Sequence, residues 1–444
     1  MRQLSASSAL RRYLVLTALR WLPTGLMIPI FVLLPLHRGL GLSEIGVAMA
    51  MQGLVVAALE LPTGGLADTI GRRRMLLGAT TIAIGSLVLF LLADTFAELA
   101  IAFALTGVYR ALDSGPLDAW YVDTAMAAEP GLRVERGMSA HGTVLGVAIA
   151  TGALASGALV AWDPLSTVDA LVVPGLLAVA LDVVGLVAIA WLMTERPASP
   201  GWRGIARSAL ATPRTIGDGL RLLRLSPVLL AIVSVELFWG FGMATFESLF
   251  PVRLAELTGG ADQAAAITGP AASVAWLASA AGAAVTPWLA RRLGVAPVAA
   301  LMRVLQGLTV AAMGFFAGIA GILVAYLLCN AVHGTSNAVH MTLLHRQVTS
   351  GVRATVVSLN SMVSQPAGAL GLVVLTALAD ASSVSTAMYV GAVVLALAAP
   401  LYVPAWRQAR RGRPVTPAAD KVSPVSPAAW AASDPGLDQP ARHV

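Results

Sequence analysis

Twelve apolar stretches, each of roughly 20 residues, alternate with short polar loops along this chain. They fall near 13 to 35, 44 to 66, 75 to 93, 96 to 119, 137 to 160, 169 to 193, 226 to 250, 264 to 287, 295 to 316, 320 to 344, 355 to 378 and 384 to 404. At 1.5 Å of rise per residue such a stretch crosses a hydrocarbon core about 30 Å thick, so each predicts a membrane-spanning helix. The longest interior polar stretch, Thr194 to Ser226, separates two sets of six. The expected fold is therefore an all-α membrane protein whose twelve transmembrane helices form two six-helix pseudo-repeats. Its parts are an N-terminal half (1–195), a linker (196–225), a C-terminal half (226–405) and a Pro-rich polar tail (406–444) with nothing to bury, expected to be disordered. The linker is either a solvated basic connection or, over Ile216 to Leu225, an amphipathic helix on the membrane surface.

Composition agrees with a lipid solvent. Hydrophobic residues make up 57% of the chain and charged ones 12%, about half the charge of an average soluble domain. Arginines near span ends resist translocation and fix orientation. One face collects Arg11, Arg12, the run Arg72 to Arg74, Arg133, Arg136, the linker arginines, Arg291, Arg292, Arg346, Arg353 and a cluster from Arg407 to Arg413, while the other has only Arg38 and Arg253. Both termini and the linker are thus expected in the cytoplasm, which requires an even number of spans. The net charge of +6 reflects this topology and attraction to anionic lipid, and calls for no nucleic acid. The first apolar stretch is too long for a signal-peptide core and lacks a small-residue cleavage site, so it reads as an uncleaved helix. Cys329 is the only cysteine, which excludes an intrachain disulfide and a cysteine metal cluster.

Between the second and third stretches the chain reads Gly65-Leu-Ala-Asp68-Thr-Ile-Gly71-Arg72-Arg73-Arg74, and Trp288-Leu-Ala-Arg291-Arg292-Leu-Gly294, after the eighth, is a faint copy. Glycines permit a tight turn, arginines hold it on the cytoplasmic side, and an aspartate can pair with an arginine or a helix N-terminus. The pattern of glycine, aspartate, glycine and basic residues at this place resembles the loop of the major facilitator superfamily. Glu60-Leu-Pro-Thr-Gly64, Arg110-Ala-Leu-Asp113-Ser-Gly115 with Asp118 to Asp123, and Arg353 to Ser358 are similar to its drug/proton-antiporter-like branch. The resemblance covers about residues 10 to 404. One departure stands out, since the fifth stretch carries Gly142, Gly146, Gly152 and Gly157 without the proline that many antiporters place there. The resemblance implies that Gly65, Asp68, Gly71, Arg72 and Asp123 form a gating latch that contacts no substrate, so that neutralising Asp68 would abolish transport and spare binding.

Six charges lie deep in the spans: Arg20, Arg110, Asp113, Asp182, Glu236 and Arg303. At about 3 kcal/mol each, lipid exposure of all six would cost about 18 kcal/mol, so they must face protein or a water-filled cavity. Arg110 and Asp113 are three residues apart on one helix face and are expected to pair. Such a pair either merely cancels its own charge or, as the resemblance implies, couples transport to protons, with Asp113 carrying the proton. Arg20 is expected to be structural, neutralising Glu60 or Asp113. The seventh stretch sets Glu236, Met243 and Glu247 on one stripe beside Trp239 and Phe246, an arrangement suited to a lipophilic cation. Glu236 is a candidate for substrate or proton binding, and Glu247 reads more simply as a rim residue. The tenth stretch carries Asn330, His333, Asn337 and His340. His333 either titrates in the transport cycle or ties neighbouring helices together. Asp182 and Arg303 have no partner that the sequence identifies.

No GxxxxGK[ST] loop, HExxH, CxxC or nucleophile elbow is present, so neither ATP-driven transport nor an enzyme is indicated, and no cofactor or metal is expected. The resemblance implies a secondary transporter of the cell membrane, acting as a monomer and exporting hydrophobic or cationic small molecules against protons by alternating access. A proton-coupled metabolite importer would use the same residues. A membrane receptor or assembly partner that kept the fold is the alternative of another class.

Overall fold

The computed structural model describes residues 4–63, 70–195, 221–348 and 353–411. The N-terminal half comprises α1 (Ala6–Met27), α2 (Ile30–His37), α3 (Leu42–Thr63), α4 (Arg72–Leu92), α5 (Phe96–Asp113), α6 (Pro116–Ala128), α7 (Glu135–Trp162) and α8 (Val173–Leu192). The C-terminal half comprises α9 (Pro227–Glu247), α10 (Leu249–Thr258), α11 (Ala261–Leu293), α12 (Val295–Phe315), α13 (Ile319–Arg346), α14 (Arg353–Ala381), α15 (Val384–Leu397) and α16 (Val403–Arg410). No strand occurs among the described residues. Among the described residues, eleven helices are long and apolar enough to cross a membrane, α1–α2, α9–α10 and α15–α16 each counting as one slightly broken helix.

The twelfth expected span is α5 with α6, and it is not continuous. Ser114 and Gly115 interrupt it, with Gly115 at φ +96° and Pro116 opening α6. The proline ring excludes the helical conformation from the residue before it, and glycine reaches positive φ without strain, so the break is written into Gly115-Pro116. Three charges, Glu98, Arg110 and Asp113, also fall within the 18 residues of α5.

Two helix pairs join the halves: α7 packs on α11, and α3 on α14. Gly157 and Gly269 make the first contact, so close that a Cβ on Gly269 would lie 2.4 Å from the Ala153 carbonyl oxygen. Successive spans are antiparallel, so the beginning of α1 and the end of α16 share one end of the bundle, the terminal end. At the far end the halves are closed. There the Ser43 amide donates to Asp380 Oδ2 at 2.7 Å, and α2 packs on α10 and α11. Toward the terminal end α7 and α11 part, and nothing lies within 4 Å of a Cβ built on Gly142 or Gly146. A cavity lies between the halves, bounded by residues that include Arg20, Glu60, Arg110, Asp113, Ser361 and Gln365.

The linker is described only at 221–225, which is helical, with Leu222 and Leu223 buried against the core of the C-terminal half. This end of it packs on protein. The rest of the linker and the tail from 412 onward lie outside the described residues.

Candidate functional site

The break after α5 positions the N-terminal site. It ends α5 at Asp113, whose side chain is 4% exposed and forms an ion pair with Arg20 of α1. Arg20 Nη2 also donates to the Asp113 carbonyl oxygen at 3.4 Å, and Tyr109, one turn back on α5, interacts with both members of the pair. The expected partner of Asp113 was Arg110, and the structure corrects this. Residues three apart differ by about 60° around a helix, which is enough to turn Asp113 inward beneath Arg20 and leave Arg110 exposed on the wall of the cleft.

Three cavities adjoin Arg20 and Tyr109. One of about 190 Å³ lies between the halves, bounded by Arg20, Glu60, Arg110 and Asp113 on one side and by Ser361 and Gln365 of α14 on the other. Across it Ser361 Oγ donates to Glu60 Oε2 at 3.2 Å. A second, of about 110 Å³, lies within the N-terminal half, walled by Phe31, Phe90 and Phe103 and bordered by Arg110 and Asp182. Those three rings touch one another at centroid distances of 5.5, 5.9 and 5.9 Å. A third, of about 30 Å³, runs between Asp113 and Asp182. Asp182 thus faces two cavities, and the charge whose field reaches it is that of Asp113.

In the C-terminal half the deep charges are sealed. Glu236, 5% exposed, lies 3.1 Å from His340 Nε2. His340 Nδ1 is 2.9 Å from the Tyr402 hydroxyl, which donates to it when Nε2–H points at the carboxylate, and Asn360 Oδ1 lies 3.3 Å from Nε2. Arg303 Nη1 donates to Gln306 Oε1 at 2.9 Å, and the field of Arg303 reaches Glu236. Gln306 Nε2 is 3.5 Å from His333 Nδ1, and His333 stacks on Trp239 at 5.7 Å. Glu236 lines none of the three cavities. Trp239, Met243 and Asn330 are half-buried and Asn337 is exposed; the Asn330 amide donates to the Tyr326 carbonyl oxygen at 3.0 Å. The exposed acid of α9 is Glu247. It is solvent-accessible although deep among the helices, and the field of Arg110 reaches it from the opposite half.

At the terminal end, Gly71 (φ +96°) caps α4, and Arg72 pairs with Asp123 of α6 while donating to the Ala119 carbonyl oxygen at 2.9 Å. Gly65 and Asp68 lie outside the described residues. The α4 N-terminus is met by Glu195, which accepts from the amides of Arg72 and Arg73, both at 2.9 Å. A carboxylate there satisfies two orphan donors and the helix dipole. Its only trace in the sequence is an acid just past the sixth apolar stretch. Asn360, Tyr402 and Gln306 were likewise unmarked, because polar residues of spans far apart in sequence reveal their partners only when folded. Among the described residues no group of three or more His, Cys, Asp or Glu side chains is placed to hold a metal ion.

Two six-helix halves around a polar cleft, with ion pairs beside it, define a membrane transporter of small molecules. The sequence matches the Major Facilitator Superfamily over residues 13–372, and the chain belongs to that family. No curated protein matches it in sequence. Among solved structures it is similar to the nucleoside transporter NupG (13% identity, 90% of this chain and 99% of that one, TM-score 0.72). A bacterial homolog of the human lysosomal transporter Spinster is similar too (16%, 92% and 98%, 0.70), as is a POT family peptide transporter (15%, 90% and 97%, 0.68). At these identities the likeness is one of fold.

Proposed function

We propose that this protein is a proton-coupled secondary transporter of the cell membrane, with both termini in the cytoplasm, that works as a monomer and exports partly hydrophobic small molecules bearing positive charge. The observation that carries this is the ion pair of Arg20 with the buried Asp113 at the break between α5 and α6, bordering the cavity between the halves. Protonation of Asp113 removes the partner of Arg20. Leaving one member of a buried pair uncompensated costs about 3–5 kcal/mol, close to the roughly 5.5 kcal/mol needed to swing a two-state equilibrium from 1:99 to 99:1. One proton can therefore bias which end of the cleft is open. A cargo charge arriving in the cleft competes for the same groups, which ties its release to proton uptake. The exposed Glu247 and the half-buried Trp239 of α9 favour a positively charged amphiphile.

Everted membrane vesicles energised to an acid interior test the reading. Proton efflux, followed with a pH dye while lipophilic cations, neutral antibiotics and metabolites are added, is expected for the cations and is expected to vanish in Asp113→Asn. Silence across the panel, with uptake of a nutrient by intact cells, would replace export by import.

A further inference from the structure

Asp182 is a deep charge for which the switch at Arg20 and Asp113 has no use. It lies midway along α8, which packs on α1 and α4, and among the described residues it makes no hydrogen bond or ion pair. A carboxylate amid crossing helices without a partner calls for water or a proton. Two cavities give water access to it. The larger, of about 110 Å³, also offers Gln52, Ser86 and Thr106, whose hydroxyl donates to Ser86 Oγ at 3.3 Å. The smaller, of about 30 Å³, offers Thr80, Tyr109 and Asp113. A water needs about 10–15 Å³ and roughly two to four polar partners, so both cavities have room for one.

The cavities lie in series along the bundle. Phe90, close to the far end of α4, bounds the larger one, while Leu76 and Ile189, close to the terminal ends of α4 and α8, bound the smaller. Asp182 lines both, so the order from the far end is the phenylalanine-walled cavity, Asp182, the small cavity, Asp113. The titratable groups around them are Arg20 of α1 and Tyr109, Arg110 and Asp113 of α5, and α4 adds the hydroxyls of Thr80 and Ser86.

Resting on the transport reading above, we propose that Asp182 is a second proton site, relaying the coupling proton from the phenylalanine-walled cavity to Asp113 inside the N-terminal half. The proton's route is then separate from that of the cargo, which uses the cavity between the halves. In the step itself the O–H bond at Asp182 breaks, a water in the small cavity passes the proton on, and an O–H bond forms at Asp113. Asp182 is left as a carboxylate and takes its next proton from the larger cavity, while Arg20 loses its partner. By this route a proton from the far side reaches Asp113 while the Ser43–Asp380 contact holds the halves together at that end.

Infrared difference spectra of the purified full-length protein, recorded against pH, follow the carbonyl stretch of protonated carboxyl groups and need no cargo. The bands lost in Asp182→Asn and in Asp113→Asn identify the two acids. Each variant is expected to move the titration midpoint of the remaining acid by about one pH unit or more, a tenfold change in proton affinity. Independent titration of the two would overturn the proposal. Proteoliposomes loaded with tetraphenylphosphonium separate a relay from a structural support. Asp182→Asn is expected to slow movement driven by a pH gradient roughly tenfold or more, with Asp182→Glu restoring it. Exchange at equal pH, which moves no net proton, and the melting temperature are expected to survive Asp182→Asn. A driven rate equal to that of the unsubstituted protein, or driven movement and exchange lost together, would refute the relay. If the unsubstituted protein moves no tetraphenylphosphonium, the cargo reading fails and the infrared midpoints alone decide the relay.

Discussion

The two halves share a plan and handle charge in opposite ways. Each opens with a helix broken near the far end, at Ile28-Pro29 between α1 and α2 and at Ser248 between α9 and α10. In each, the helix after the second-to-third or eighth-to-ninth connection is capped by a glycine of positive φ, Gly71 at +96° and Gly294 at +87°. The fourth span of each half is polar, but α5 and α6 are split by Gly115-Pro116 while α13 runs unbroken from Ile319 to Arg346. The split brings Asp113 to the edge of the cleft. The unbroken helix keeps His340 inside, against Glu236, Asn360 and Tyr402. A buried charge network that water does not reach holds a half rigid, whereas one beside a cavity can exchange protons. On the proposed reading, the N-terminal half is the one that switches and the C-terminal half the one it switches against.

The largest effect that would test this contrast is expected at Asp113. Asp113→Asn should abolish proton-driven transport and, by stranding a mostly buried arginine, lower stability by up to about 3–5 kcal/mol. Thermal melting should recover in the double variant Arg20→Gln, Asp113→Asn while coupling stays lost. In the other half, Glu236→Ala should destabilise by about 1–3 kcal/mol, because His340 and Asn360 lose a buried acceptor, while Glu236→Gln should transport at nearly the original rate. If Glu236→Gln instead abolished coupling with its melting temperature unchanged, the assignment of switch and support would be reversed. Cleft geometry is open to thiol chemistry because the sole native cysteine, Cys329, is buried. A water-soluble maleimide should label Gly146→Cys readily and Gly157→Cys hardly at all; equal labelling would mean that the far end is not closed. The smallest effect is expected at Glu195. Replacing it by alanine uncaps α4 and should cost about 1 kcal/mol, read as a few degrees of melting temperature with substrate affinity unchanged.

The loop from Gly65 to Arg74 illustrates what short-range patterns reveal. Glycine spacing announces a turn, and Arg72 does meet Asp123 across it. The Arg110–Asp113 pair illustrates the opposite case. Three-residue spacing puts two side chains on one face, but the helix ends there, and the carboxylate follows the stronger offer of an arginine 93 residues away. Glu236 turns away from its expected place in the same manner. It shares one stripe of α9 with Glu247, yet it is enclosed by its own half against His340, while Glu247, read as a rim residue, is exposed.

Lipid as solvent explains the boundary. Hydrocarbon forces every crossing segment to satisfy its own backbone and present apolar side chains, so span number, span length, the two halves and the broken fourth helix follow from local sequence. The direction in which a deep charge turns, the partner it finds and the wall of the cleft it lines are fixed by helices brought together from the whole chain. An isolated apolar helix carries no record of its neighbours, and only their packing decided which acids are sealed, which is paired beside the cavity and which stays exposed.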